Sequence, residues 1–510
     1  MPNFPSRIVV MLSYTLLLFP FFQTSSLKAA ERTSQSLSLE EAIRIALGNN
    51  VDLKVERENI RLQESDILFE QGQFDPTLHL DARVGKSVQE STSVIEAGFV
   101  ETGQVDQESQ RLSLGLNQRF GWGGDYDVTF SQSRSSATLQ EINPTFRGEP
   151  VLTFTQPLLR GFGREVTQGL LRIAQTQLQI SQSVFRSQLM AIILEISDVY
   201  WDLIFQRENL KVQQQSLRAA ERLLELNRNK VELGLLAPIE ILVAEAGVAS
   251  RVEGVVVAEK GIEDTEDQLR RLLNLPEQSF SAPPPLLPTE APIDTRIELD
   301  ETSLLATALR ERPEIEQSEM VLKNRALSIR IAENQLYPSL DLVGSVGLNG
   351  IGGSYSTELD QIESGDFYRW EAGVVLSFPL GNRSARANVQ RERSEWNRAT
   401  LNRERTIQQI TLETKEGLRR VETDYRRIES NRRARILAER QLSAGNERAV
   451  LGLISSHDLL EFQTELADAR GREIRAITDY NKSLINLDRV TGLLLERFNI
   501  ETVSAAGEKR

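Results

Sequence analysis

Two acids occupy equivalent places in this chain. Glu240 follows Gly234-Leu235 in VELGLLAPIEILVAEA (231–246), and Asp458 follows Gly452-Leu453 in AVLGLISSHDLLEFQT (449–464), at a shift of 218 residues. Each acid lies about one and a half helical turns past its glycine. Glu461 comes three positions after Asp458 and shares its helix face. By residue type alone such carboxylates make a solvated acidic helix face. Other chemistry is sparse. Cysteine is absent, which excludes disulfides, cysteine-ligated metals, thiol catalysis and a lipidated N-terminal cysteine. The two histidines, His79 and His457, fall on different elements. His457 stands beside Asp458, but a lone exposed histidine accounts for it without a metal. No Ser/His/Asp arrangement or phosphate loop is evident, and Gly121-Trp122-Gly123-Gly124 reads as a hairpin turn. No catalytic residues, metal site or cofactor are expected, and an enzyme is not.

The positions of the acids follow from a duplication. Residues 46–85 align without a gap on residues 308–347 at a shift of 262, with nine of forty positions identical, among them Pro76/Pro338, Leu78/Leu340 and Gly85/Gly347. The Gly-Leu turns align as Gly234/Gly452, Leu242/Leu460 and Leu269/Leu487. The sequence predicts a signal peptide (1–30), a first repeat (31–281), a Pro-rich linker (282–299, containing APPPLLPTEAP), a second repeat (300–495) and a C-terminal tail (496–510).

Each repeat changes period twice. A helix is expected over 38–72 and over 300–335. Barrel strands and loops are expected over 77–158, and strands over 339–380. At Pro76 and Pro338 the pattern becomes alternating. Leu78, Leu80, Ala82 and Val84 face one way, while His79, Asp81 and Arg83 face the other. Trp370, Ala372, Val374, Leu376 and Phe378 likewise oppose Arg369, Glu371 and Ser377. Further alternation occurs at 112–120, 126–130 and 151–156, with polar loops expected at 86–110, 135–149 and 348–366. Long helical hairpins follow, over 165–275 and 384–495. In the first, Leu189, Ile196, Leu203, Leu210, Leu217, Leu224 and Val231 recur every seven residues, the spacing of a coiled-coil seam. Residues 165–232 as one helix would span about 100 Å, and the Gly-Leu turn would reverse the chain at that distance from the strands.

Compartment follows from the N-terminus and the charge. Arg7 precedes a short apolar run, Ile8 to Phe22, and Leu27-Lys28-Ala29-Ala30 offers a small-residue cleavage site. Removing residues 1–30 takes away two basic residues and no acids, leaving 57 basic against 73 acidic residues, a net charge of −16. An acidic exported chain does not suit nucleic-acid binding. Alternating strands with aromatic ends and polar loops, in such a chain, suggest an outer-membrane barrel. Two to four strands per repeat cannot close one, and open sheet edges are excluded from lipid, so several chains must share it.

Taken together these residues resemble the TolC-like outer-membrane efflux proteins, from about Leu37 to Leu495. The resemblance is carried by the paired AL…P-x-L-x-L segments, by Q-PLLRGFG (156–163) and FPLGNRS (378–384), and by the twin turns LGLLAPIE (233–240) and LGLISSHD (451–458). It implies an α+β membrane protein: a trimeric transmembrane β-barrel, four strands per chain closing twelve, continued by a long periplasmic α-helical coiled-coil barrel, with two tandem repeats per chain. It implies the exit duct of a tripartite efflux pump or type I secretion system. Its partners would be a periplasmic adaptor (membrane fusion protein), an inner-membrane pump or ABC transporter, and outer-membrane lipid. Glu240, Asp458 and Glu461 would line the periplasmic constriction, nine carboxylates in a trimer. Gly234, Leu235, Gly452 and Leu453 would be adaptor-docking tips. The tyrosine and arginine of the family's closed state are matched by Ala449 and Ile454, so that lock is not carried over. The stretch RLSLGLNQRFGWGGDYDVTFSQSRS (111–135) departs from the simplest family pattern, and two added strands could join the barrel, extend above it or fold elsewhere. The rival classes are a periplasmic coiled-coil adaptor, which needs an anchor and small β-domains between hairpins, and a structural spacer, which needs no alternating strands.

Overall fold

The computed structural model describes residues 35–90, 104–137, 141–275 and 284–500. The expected signal peptide and most of the expected tail lie outside the described residues. The described chain opens with β1 (Gln35–Leu37), α1 (Leu39–Asn49) and α2 (Val51–Gly72). The single helix expected over 38–72 is therefore two. Ser38 caps the first by accepting from the Glu41 N–H, and Asn50 starts the second by accepting from Asp52 and Leu53. The Asn50 amide also donates to the Leu272 carbonyl at 3.0 Å, so the break is tied to tertiary structure.

Strands β2 (Thr77–Glu90), β3 (Gln104–Arg119), β4 (Asp125–Ala137) and β5 (Thr145–Pro157) follow. Of the polar loop expected over 86–110, residues 86–90 and 104–110 are strand, and 91–103 lie outside the described residues. Its alternation is hidden because both faces there are polar: Lys86 pairs across the strands with Glu108 at 3.1 Å. A short α3 (Arg164–Thr167) leads into α4 (Gly169–Glu232), and α5 (Ile239–Leu273) returns beside it. At 64 residues α4 is about 96 Å long. The seven-residue seam holds only in its upper part: Leu189, Ile196 and Leu203 are buried, but below them burial passes to Val212, Ser216, Ala220, Leu223 and Asn227. A straight helix drifts by about 20° per heptad, so a strict heptad leaves the packed face over this length.

The linker contains β6 (Leu286–Pro288), which pairs in parallel with β1. The second half then repeats the order. Helices α6 (Glu301–Glu311) and α7 (Pro313–Asn334) divide where Pro313, lacking an N–H, cannot continue the first. Strand β7 (Ser339–Leu348) is prolonged by β8 (Gly350–Gly352) in unchanged register along β5. A helix, α8 (Tyr355–Ser364), occupies the expected loop 348–366. Ser354 caps its start and Gly365, at φ 69°, ends it. Strand β9 (Tyr368–Ser377) precedes α9 (Arg383–Val450), α10 (Ser456–Thr491) and a final turn, α11 (Leu494–Arg497).

The six long strands form one antiparallel sheet in the order β2-β3-β4-β5-β7-β9. Below it the helices lie side by side: α2, α4, α7 and α9 in the half near the sheet, and α5, α4, α10 and α9 in the far half. The main core sits at mid-height, where Leu37, Ile193, Ile196, Tyr200, Leu269, Leu273 and Leu286 close on one another. Full burial of such aliphatic side chains contributes about 1.5–3 kcal/mol each. Tyr200 donates its hydroxyl toward the Leu37 carbonyl at 3.1 Å and meets Glu290, fastening the chain start and the linker to α4.

Candidate functional site

The sheet is a wall with two unlike faces. Directly paired residues share a face. The register runs Leu78, Leu116, Val128, Leu152, Val346 and Trp370 in one unbroken row across all six strands. All six are solvent-exposed in the single chain. One residue along, on the other face, lies the row His79, Gly115, Thr129, Val151, Gly347 and Arg369, and beyond it Asp81, Ser113, Ser131 and Glu149. His79 lies over Gly115, where a Cβ would come within 2.0 Å of its ring. At the helix end of the apolar face, Phe120 stacks on Trp122 at 5.1 Å and Trp122 meets Phe154 at 6.0 Å, an aromatic girdle of the kind found at membrane interfaces. The two outermost strands, β2 and β9, run in opposite directions, and each has one edge without a strand partner among the described residues.

At the far end, the two Gly-Leu turns are the same structure twice. Gly234 has φ 71° and Gly452 φ 69°. The Leu235 N–H reaches back to the Lys230 carbonyl at 2.8 Å, and the Leu453 N–H to the Arg448 carbonyl at 2.9 Å. This is the Schellman arrangement, which needs a residue at ease with positive φ. In that motif the residue after the glycine usually packs on an apolar one a turn back. Here those positions are Lys230 and Arg448, and Leu235 and Leu453 stay 71% and 64% exposed. Leu233, Val450 and Leu451 are exposed beside them. Lys230 Nζ donates to the Ala449 carbonyl at 3.0 Å, holding the two tips together.

The acids sit just inside the tips. Glu240 Oε2 accepts from the Ser456 N–H at 3.2 Å, so an acid of α5 satisfies a free donor at the start of α10. Asp458 forms a capping box with Ser455. Those hydrogen bonds hold its carboxyl below the usual carboxylate range. Glu461 is exposed, one turn further along α10. The structure thus brings Glu240 and Asp458 to the consecutive residues Ser456 and Ser455. Sequence reasoning missed the residue that joins them. Asn227, buried on α4, donates to the Glu240 carbonyl at 3.1 Å and to Ser456 Oγ at 2.9 Å. Its signal is an asparagine three residues past Leu224 of the seven-residue seam, on the face of α4 that buries Val212, Ser216, Ala220 and Leu223. Among the described residues no group of His, Asp and Glu is arranged to hold a metal ion.

An apolar-faced sheet carried on helices about 100 Å long defines a class of outer-membrane channel. The family model described as outer membrane efflux protein matches residues 125–275 and 304–493, and the chain belongs to that family. Nodulation protein T of Rhizobium leguminosarum bv. viciae is 25% identical over 372 residues, 72% of this chain and 71% of that protein. The pyoverdine export outer membrane protein OpmQ of Pseudomonas putida is 24% identical over 297 residues, 57% of this chain and 60% of that protein. Among solved structures, the Campylobacter jejuni CmeC outer membrane channel superposes with a TM-score of 0.67 at 16% identity, covering 89% of this chain and 86% of CmeC. The open-state Neisseria gonorrhoeae MtrE outer membrane channel gives 0.62 at 18% identity, covering 89% of each chain. The fold is that of the TolC-like channels. The protein is an outer-membrane efflux channel whose helices extend into the periplasm.

Proposed function

We propose that three copies close around a common axis, with the polar rows lining a conduit and the apolar rows facing outer-membrane lipid. The observation that carries this reading is the pair of oppositely directed edges, β2 and β9, which have no strand partner among the described residues, on a sheet with one apolar face. In lipid an unpaired edge is untenable, and β9 of one copy has the direction needed to pair with β2 of the next. The helical flanks support the same closure. On one side, α2 carries six acids against three basic residues and α5 eight against four; on the other, α9 carries 17 basic residues against ten acids. Opposite charge on the two flanks of one chain favours a ring of like copies.

In this reading the chain is two copies of one unit. Gly234, Leu235, Gly452 and Leu453 dock a periplasmic adaptor, which links the duct to an inner-membrane pump or ABC transporter. Glu240, Asp458 and Glu461 border the periplasmic mouth. The cargo is small molecules or polypeptides, and no cofactor takes part. Reconstitution of the detergent-extracted protein in planar bilayers tests the reading. It requires discrete conductance steps with cation preference. Protein that inserts but never conducts, even after removal of the tip hairpins, contradicts it.

A further inference from the structure

The sheet holds more strands than the helices call for. Four strands run straight into or out of helices: β2 from α2, β5 into α3 and α4, β7 from α7, and β9 into α9. Strands β3 and β4 do not. They are joined at residues 120–124, where the Phe120 N–H bonds the Gly124 carbonyl at 2.7 Å. That turn is seated on the ledge between sheet and helices. The Gly163 N–H donates to the Trp122 carbonyl at 3.2 Å, and a Cβ on Gly123 would come within 2.4 Å of the Gly161 carbonyl oxygen.

The hairpin stands in the wall, not against it. Strand β3 pairs with β2 over 14 residues and β4 with β5 over 11, so β2 and β5 are held two strands apart. Leu112, Leu114, Leu116, Val128 and Phe130 continue the apolar face, and Ser113 and Ser131 continue the polar one. This corrects the expectation of four strands per chain: the described residues form six long ones.

Perimeters show what the addition does. Twelve helices side by side at about 10 Å make a ring of about 120 Å. Strands about 4.8 Å apart, tilted by about 40°, each occupy about 6.3 Å of perimeter. Twelve of them span about 75 Å, and eighteen about 113 Å. We propose, resting on the trimeric reading above, that this channel closes an eighteen-stranded barrel whose bore matches the helical tunnel. Its backbone diameter is about 36 Å, against about 24 Å for twelve strands. The exit then does not narrow on the cargo. It admits bulky hydrated polymers, such as folded polypeptide segments or glycans, and size selection falls to the periplasmic tip.

The absence of cysteine makes the test clean, because every introduced thiol is unique. Asp81→Cys with Ser113→Cys spans β2 and β3, and Ser131→Cys with Glu149→Cys spans β4 and β5, all on the polar face. In isolated outer membranes, mild oxidation should protect both pairs from maleimide labelling. Electron cryo-microscopy of the purified full-length protein should count eighteen strands in a trimer. A trimer with twelve strands, free thiols and residues 104–137 outside the wall overturns this inference and leaves the channel reading standing. A particle that is not a trimer overturns both.

Discussion

Asn227 on α4 donates to Ser456 Oγ on α10 at 2.9 Å, across the seam between the two helical hairpins of one chain. The same amide holds the Glu240 carbonyl at 3.1 Å. One buried side chain thus fixes both turns at the proposed mouth. Ala449 and Ile454 supply no polar lock, and we propose that closure of the mouth rests on this amide, on the Lys230 contact to Ala449 and on helix packing. Asn227→Ala removes the buried amide that donates to Ser456 Oγ, at a cost of about 1–3 kcal/mol. We expect a folded protein with raised resting conductance in planar bilayers. Unchanged conductance would move the closing contact elsewhere.

The proposed docking tips are separable from stability. Leu235 and Leu453 touch little in the chain, and exposed substitutions away from special features usually change stability by about 0.5 kcal/mol or less. Leu235→Asp with Leu453→Asp should therefore abolish cargo export in cells while leaving assembly and amount in the outer membrane unchanged. Normal export at normal abundance refutes a docking role.

The acids should set ion preference. Asp458→Asn with Glu461→Gln should remove cation selectivity and block by multivalent cations. Wild-type channels should lose that block as pH falls. Because the Ser455 hydrogen bonds depress the Asp458 pKa, its charge persists below the pH at which an ordinary carboxylate protonates. The sign for stability is the same: the capping box helps above the unfolded pKa and is lost as pH falls through the folded one. Relief of block centred above neutral pH would not fit.

Asp198 offers the opposite sign. Burial on α4 raises its carboxyl pKa, against the pull of Lys482, Arg420 and Arg489. A raised acid costs the fold free energy above its folded pKa, and the cost fades as pH falls through it. Asp198→Asn should raise the Tm at pH 7 and show no advantage near pH 4 in thermal scans of the solubilised protein. A destabilised variant at pH 7 would mean that its three cationic neighbours outweigh the burial.

How much of this could be read beforehand depended on whether one periodicity dominated. Leu78 to Val84 and Trp370 to Phe378 alternate cleanly because one face of the sheet is apolar and the other polar, and both are legible as strands. The prolongations through Lys86 and Glu108 are not, because there both faces are polar. The paired Gly-Leu turns were legible as chain reversals, since Gly234 and Gly452 need positive φ. The roles of Glu240 and Asp458 in satisfying N–H groups of α10 were not, because they depend on the neighbouring turn or hairpin. Helix α8 was hidden in a polar stretch, although Ser354 and Gly365 mark its ends. The pairing of β1 with β6 joins residues about 250 apart in sequence and has no local signature.

The most direct measurement is the native mass of the complex extracted from outer membranes in mild detergent, taken by native mass spectrometry. The account predicts three chains, unlipidated, with no smaller species that survives in lipid, because β2 and β9 find partners only in neighbouring copies. A stable single chain with a closed sheet would contradict it.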